Sequence, residues 1–230
     1  MHDPFYDLFP RPPEPQWRRG ELALLTIDMQ YMDAHPDGWM GRVARSLGRE
    51  RLLAQRFEAI ERILPRIRRL QDAFRASGEE VIHVRIAYRT SDGREAGRAF
   101  MPSPHEQQVP REPRDDEILP EVAPLEDELV FSKTSSSVFS TTDIERVLWN
   151  LGVRHLVFTG VVTDGCVELS ARDAADRGWA VTLVEDACCS STPEAHADAI
   201  QRLTDGGFIA AISTEQALLR VEQLELAPVG

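Results

Sequence analysis

The chain has 230 residues, 42% of them hydrophobic and 28% charged, a composition that fits one globular domain and excludes a disordered chain. Against 38 Asp plus Glu stand 26 Lys plus Arg, giving a formal charge of −12, the wrong sign for a protein that lives by phosphate contacts, so no nucleic-acid partner is expected. Three cysteines cannot make a disulfide framework, no apolar run is long enough to span a bilayer and the N-terminus lacks a signal-peptide core, so the expectation is a soluble cytoplasmic protein without a membrane partner.

Residues 1–20 carry five prolines, Pro4, Pro10, Pro12, Pro13 and Pro15, and read as an extended arm ahead of one domain over 21–230. Its Phe5, Tyr6, Phe9 and Trp17 are too apolar for a free tail and are expected to pack, either on the parent domain or on a neighbouring subunit. From Leu22 to Asp28 an almost unbroken apolar run has the pattern of a strand buried on both faces of a parallel sheet. A helical period runs from about Arg51 to Ala76 and stops at Ser77-Gly78, and Val81 to Ile86 reads as the second strand. Tyr88 to Glu128 shows little periodicity and reads as one long loop. Its arginines 89, 94, 98, 111 and 114, in an otherwise acidic chain, suggest that it covers a pocket.

Leu129 to Ser132 is the third strand, and Thr142-Asp-Ile-Glu145 has the form of a capping box opening a helix that stops near Leu151-Gly152. His155 to Thr159 is the fourth strand, followed by a helix over 165–177. Ala180 to Val184 is the fifth strand, Thr192-Pro193 opens the next helix, Phe208 to Ile212 is the sixth strand, and a last helix starts at Ser213. This alternation predicts an α/β sandwich around a mainly parallel sheet, with ligands beyond the carboxyl ends of its strands.

Three polar residues stand at such ends: Asp28 after the first strand, Lys133 after the third, and Cys166 past the fourth. Each alone has an ordinary explanation as a turn residue, a solvated cation or a small buried hydrophobe. Together they fit one mechanism, because a helix N-terminus and a nearby ammonium would draw a thiol's pKa down from roughly 8.5 and make it a nucleophile, with Asp28 as general acid and base. Lys133 is also the sole lysine among the 26 basic residues. Codon bias could leave one lysine; the alternative is a site that takes a compact ammonium and refuses a guanidinium. Gly160 and Gly165 have P-loop spacing, but Cys166-Val167 replaces its Lys-Ser/Thr, no Gly-x-Gly-x-x-Gly follows the first strand, and no Gly-x-Ser-x-Gly elbow is present.

The segments Leu24-Leu-Thr-Ile-Asp-Met-Gln30, Glu117-Ile-Leu-Pro-Glu121, Phe131-Ser-Lys133, Thr142-Asp143 and Gly160-Val-Val-Thr-Asp-Gly-Cys-Val-Glu168 together resemble the isochorismatase-like cysteine hydrolases, over about residues 21–219. The resemblance implies a three-layer α/β sandwich with a six-stranded, mainly parallel sheet in order 3-2-1-4-5-6. It also implies an Asp28-Lys133-Cys166 triad, a cis peptide at Val161–Val162, and an oxyanion hole from the amides of Val162 and Cys166. Tyr31, Phe139 and Thr163 are the expected substrate-binding residues. Family members with the cysteine hydrolyse C–N bonds, whereas those without it act on the vinyl ether isochorismate. Gly152 to Gly160 and the Cys-Val-Glu after the turn look most like the ureido-type amidohydrolases. Thr134-Ser-Ser-Ser137 and Asp164-Gly165 depart from the usual Arg-Tyr and Asn-Val of that group.

The expected partner is therefore a small-molecule amide or ureido substrate, cleaved with release of ammonia, and the expected assembly a homodimer or homotetramer. No cofactor is expected. The strand reading His83-Val-Arg-Ile-Ala-Tyr88 lacks the Asp-x-His pair of the family's metal-dependent nicotinamidases, so no metal is expected either. A vinyl-ether hydrolase and a catalytically silent binding or scaffold protein are the competing readings.

Overall fold

The computed structural model describes residues 5, 8, 14–96 and 109–226. Its six strands are β1 (Leu22–Ile27), β2 (Glu80–Ile86), β3 (Leu129–Lys133), β4 (His155–Val161), β5 (Ala180–Cys189) and β6 (Ile209–Ile212). The helices are α1 (Tyr31–Ala34), α2 (Trp39–Ser46), α3 (Ala54–Ser77), α4 (Val138–Thr141), α5 (Ile144–Asn150), α6 (Glu168–Asp176), α7 (Pro193–Thr204) and α8 (Thr214–Leu226). The strands form one all-parallel sheet in the order β3-β2-β1-β4-β5-β6, as the resemblance implies.

Every residue of β1 is buried. Ala23, Leu25 and Ile27 point into a core shared with α4, α5, α6 and α7, while Leu22 and Leu24 point into one shared with α3 and α8. That two-sided burial is why the strand reads as a continuous apolar run rather than an alternation. Along α3, Ile60, Ile63, Ile67, Leu70 and Phe74 make the buried stripe. The helix starts at Ala54 rather than near Arg51, because Glu50–Leu52 is a separate 3-10 turn that leaves Leu52 exposed. No helix among the described residues is long and apolar enough to cross a membrane.

The sequence reading departs from the structure in four further places. The capping box at Thr142 is not formed, since α5 begins at Ile144 with Asp143 at its N-cap. Thr142 instead bridges α4 to α5, its hydroxyl donating to the Val138 carbonyl and accepting from the Ile144 amide. The helix expected from Gly165 begins at Glu168, after a turn over Thr163–Val167. β5 runs on to Cys189, so Cys188 and Cys189 lie inside the strand and not beyond it. The register slips to allow this: Phe158 faces Leu183 but Gly160 faces Cys188.

The fourth departure is the segment expected to be a long loop. Its described part over 109–128 contains 3-10 turns at Pro113–Asp116 and Pro120–Val122. The buried Gln30 side chain donates to the carbonyls of Ile86 and Asp115 and accepts from the Ile86 amide. Asp115 pairs with Arg42 at 2.8 Å. These bonds are tertiary, which is why no local period announces them. Arg98 lies outside the described residues. Arg111 is partly buried and pairs with Asp116 at 3.2 Å, whereas Arg114 is exposed and lies over the Tyr31 ring.

Of the arm's aromatic residues, Trp17 packs on its own domain, edge-on to Phe74 and His155. Arg220 of α8 lies over its ring and pairs with Glu14. Phe5 is exposed, and Tyr6 and Phe9 lie outside the described residues.

Gly160 sets how closely β4 approaches β1. Its φ is +107°, and a Cβ there would stand 2.1 Å from the Ile27 carbonyl oxygen. Gly160→Ala therefore combines an unfavourable φ with a backbone clash and lowers stability by about 2–4 kcal/mol. Urea unfolding checks this; an unchanged midpoint contradicts it.

Candidate active site

The carboxyl ends of β1, β3 and β4 each deliver one functional side chain to the same edge. At the end of β1 the chain turns through Asp28, whose φ of +53° is the one positive value at a non-glycine among the described residues. Aspartate tolerates that conformation better than most side chains. The Asp28 amide still donates to Val84 and its carbonyl accepts from Gln30, so the turn is anchored on both sides. Lys133 is the last residue of β3, and its whole stem is buried. Cys166 lies in the Thr163–Val167 turn, where the amides of Gly165 and Val167 both donate to the Val162 carbonyl. The peptide between Val161 and Val162 is cis.

These three side chains meet. The Lys133 Nζ stands 2.8 Å from Asp28 Oδ2 and 3.2 Å from Cys166 Sγ. Asp28 and Lys133 are fully buried, and Cys166 is 8% exposed. The second carboxylate oxygen, Asp28 Oδ1, is buried without a hydrogen-bond partner.

The electrostatics correct the expectation of a thiolate at rest. Burial, and then the Asp28 anion, push the Cys166 thiol well above its ordinary value, and Lys133 offsets only part of this. Burial also raises Asp28 against the pull of Lys133. For Lys133 burial works the other way, but Asp28 and Cys166 beside it prevail and hold the ammonium above its usual range. The physical reason is net charge. Carboxylate, ammonium and thiol sum to zero, and removing the thiol proton to solvent would leave an uncompensated anion in a dry site. Moving that proton to Asp28 keeps the sum at zero. The thiol can thus ionise by transfer to its neighbour, and the unpartnered lone pair of Asp28 makes that carboxylate an available acceptor.

Among the described residues, the other two cysteines have no such acceptor within hydrogen-bond reach. Burial pushes Cys189 up to about 12 against the pull of Arg56 and Arg62, and raises Cys188 well above its ordinary value.

The expected substrate-binding residues lie on three separate elements. Tyr31 opens α1, its hydroxyl accepting from Arg114 at 2.7 Å. Phe139, on α4, shares an apolar cluster with Cys166 and lies against Trp179 with ring centroids 5.5 Å apart. Thr163 begins the turn that holds Cys166 and is hydrogen-bonded to His196 at 2.8 Å. A cleft of about 860 Å³ between α4, α6 and α7 and one of about 380 Å³ between α3, β5 and α7 both exclude the triad from their linings.

Sequence reasoning missed one charged pair at this edge. Asp33, on α1, pairs with Arg56, on α3, through Oδ2 and Nη2 at 2.9 Å, and both residues are buried. Burial, chiefly, raises the Asp33 carboxyl to about 6, with Arg56 opposing and Asp28 adding to the rise. An Asp in a four-residue helix carries no sequence signal, and its partner lies 23 residues further on.

Residues 23–216 match the isochorismatase domain family. The chain belongs to that family. It is a hydrolase of this isochorismatase group, similar over 194 residues, at 28% identity, to the ureidoacrylate amidohydrolase RutB of Rhizobium rhizogenes, with 77% of this chain and 74% of that one covered. A cysteine hydrolase from Pseudomonas syringae pv. phaseolicola has a similar structure, with a TM-score of 0.74 at 25% identity over 93% of this chain and 99% of that one. N-carbamoylsarcosine amidase from Thermoplasma acidophilum shares the fold, with a TM-score of 0.61 at 22% identity over 85% of this chain and 97% of that one.

Proposed function

We propose that this isochorismatase-family hydrolase is a cysteine amidohydrolase that cleaves a C–N bond of a small carboxamide or ureido compound. The observation that carries the reading is the Lys133 ammonium held between Asp28 and Cys166. Cys166 Sγ attacks the carbonyl carbon as its proton passes to Asp28. The amides of Val162 and Cys166 receive the oxyanion, a role for preorganised donors in a site that excludes water. The tetrahedral adduct collapses, the C–N bond breaks, and Asp28 returns the proton to the leaving nitrogen, so that ammonia departs from an acyl or carbamoyl thioester. Water, deprotonated by Asp28, attacks the thioester, and the thiol is restored as the acid or carbamate leaves. Lys133 remains protonated throughout and carries the charge that develops on sulfur. The resemblance to the family further supports a homodimer or homotetramer, and Tyr31, Phe139 and Thr163 as its substrate-binding residues.

Ammonia release from a panel of ureas and amides tests the reading. Turnover of at least one ureido or carboxamide compound is expected. Ammonia at the uncatalysed rate from every member, or pyruvate released from isochorismate instead, contradicts it.

Asp28 must be ionised to accept the thiol proton, so activity is present above its pKa and lost as the pH falls through it. Because burial raises that pKa, the acid limb of kcat/KM lies above the ordinary carboxylate range. A limb at or below about pH 4, the usual range for a free carboxylate, contradicts the assignment. Asp28→Asn retains the shape and removes the proton acceptor, and kcat falls by about 10²–10⁴-fold, the usual contribution of a positioned acid–base group.

A further inference from the structure

The triad is not the only buried charged pair at this edge of the sheet. Asp33 and Arg56 are 5% exposed each. A buried ion pair is seldom more stabilising than a well-packed apolar pair of the same volume, so stability alone does not account for it. Nor is this pair complete. Arg56 donates to Asp33 Oδ2 and to the Asp33 main-chain carbonyl, while Asp33 Oδ1 is buried without a hydrogen-bond partner. An interior carboxylate oxygen left in that state favours any N–H donor that can reach it.

Its place in the fold says where such a donor comes from. Asp33 lies five residues after Asp28, on the short helix that leaves the end of β1. The second Nη of Arg56 faces the Ser191 hydroxyl at 3.5 Å, just past the end of β5. The last residue of β5, Cys189, is in register with Val161, where β4 enters the turn holding Cys166. The pair therefore spans the end of β4, on the same sheet edge as the thiol. The charge of Asp33 is felt at Cys166 and at Asp28.

The local charges decide what kind of substrate fits. Lys133 is committed to Asp28 and Arg56 to Asp33, so a carboxylate arriving beside the thiol meets two anions whose cations are already engaged. A group with an N–H meets an unpaired acceptor.

We propose that Asp33 is a specificity-determining residue, its Oδ1 accepting an N–H of the substrate, and that the substrate is an uncharged ureido compound carrying that N–H beyond the scissile bond. This deepens the amidohydrolase reading and rests on it. Arg56 is the positioning residue that fixes which carboxylate oxygen faces the substrate.

Biuret and N-carbamoylglycine offer the same terminal carbamoyl group, one joined to an uncharged N–H-bearing remainder and the other to a carboxylate. Wild type is expected to show the higher kcat/KM with biuret. In Asp33→Asn, Arg56 takes the amide oxygen and turns the amide N–H2 towards the substrate. The value for biuret then falls by roughly 10- to 100-fold, the worth of a hydrogen bond to a charged group, while that for N-carbamoylglycine stays the same or rises. The double variant Asp33→Asn/Arg56→Leu removes both charges and gives the same loss of selectivity should the single variant fail to fold. Calorimetric binding of both compounds to Cys166→Ala reads the same selectivity without turnover. Binding selectivity with no hydrolysis would therefore fault the amidohydrolase reading and leave this one standing. An equal loss on both compounds, no binding of biuret, or a preference for N-carbamoylglycine overturns the proposal, the last pointing to Arg111, whose Nε is also buried without a partner.

Discussion

Replacing Cys166 by serine leaves a folded protein whose kcat is lower by about 10³-fold or more. Serine is close to cysteine in shape, and the turn that holds position 166 is fixed by its own backbone bonds to Val162, so the fold has no reason to change. The chemistry does. A thiol can hand its proton to Asp28 because burial has raised the proton affinity of that carboxylate, but a hydroxyl's proton is held far more tightly than any carboxylate can match. Ammonia-release kinetics beside a thermal melt check both halves. Turnover within tenfold of wild type would remove Cys166 from the nucleophile's role.

Lys133→Arg keeps the charge and is expected to lose most of the activity, about 10²-fold or more, because a planar fork cannot take the place of a compact ammonium. Nζ lies within hydrogen-bond distance of both Asp28 and Cys166 in a site with no exposed surface at Lys133. A guanidinium there must displace the thiol or the carboxylate. Lys133→Met removes the ammonium from the reaction and also leaves Asp28 buried without its cation, which costs about 3–5 kcal/mol of stability. A fully active arginine variant would mean that the chain's single lysine is an accident of codon usage.

Much of this site was legible before the fold was known, and the reason is topological. In a parallel α/β sheet the carboxyl ends of the strands share one edge, so Asp28, Lys133 and Cys166 needed only to be recognised as polar residues closing apolar runs. The strand order came from the family resemblance, since periodicity fixes elements and not their neighbours. What stayed hidden was either short or tertiary. Helices α1 and α4 are single turns with no period to read. The extension of β5 to Cys189 depends on a register slip against β4, a property of the pair and not of either strand. The Asp33–Arg56 pair joins two helices through tertiary hydrogen bonds of the Arg56 side chain, to the Asp33 carboxylate and to its main-chain carbonyl. The protonation state of the thiol was misread because a sequence shows which charges are near in type, but not that burial outweighs them.

Peptide mapping after treatment with one equivalent of iodoacetamide at neutral pH shows which cysteine is the nucleophile. Cys166 has Asp28 beside it to take the proton as sulfur attacks. Cys188 and Cys189 are buried in β5 with raised pKa values and no such acceptor, and a thiol in that state reacts slowly. Alkylation at Cys166 alone is expected, with activity lost in proportion to its labelling. Alkylation of Cys188 or Cys189 with Cys166 untouched, or full activity in a protein whose Cys166 is fully alkylated, would contradict it.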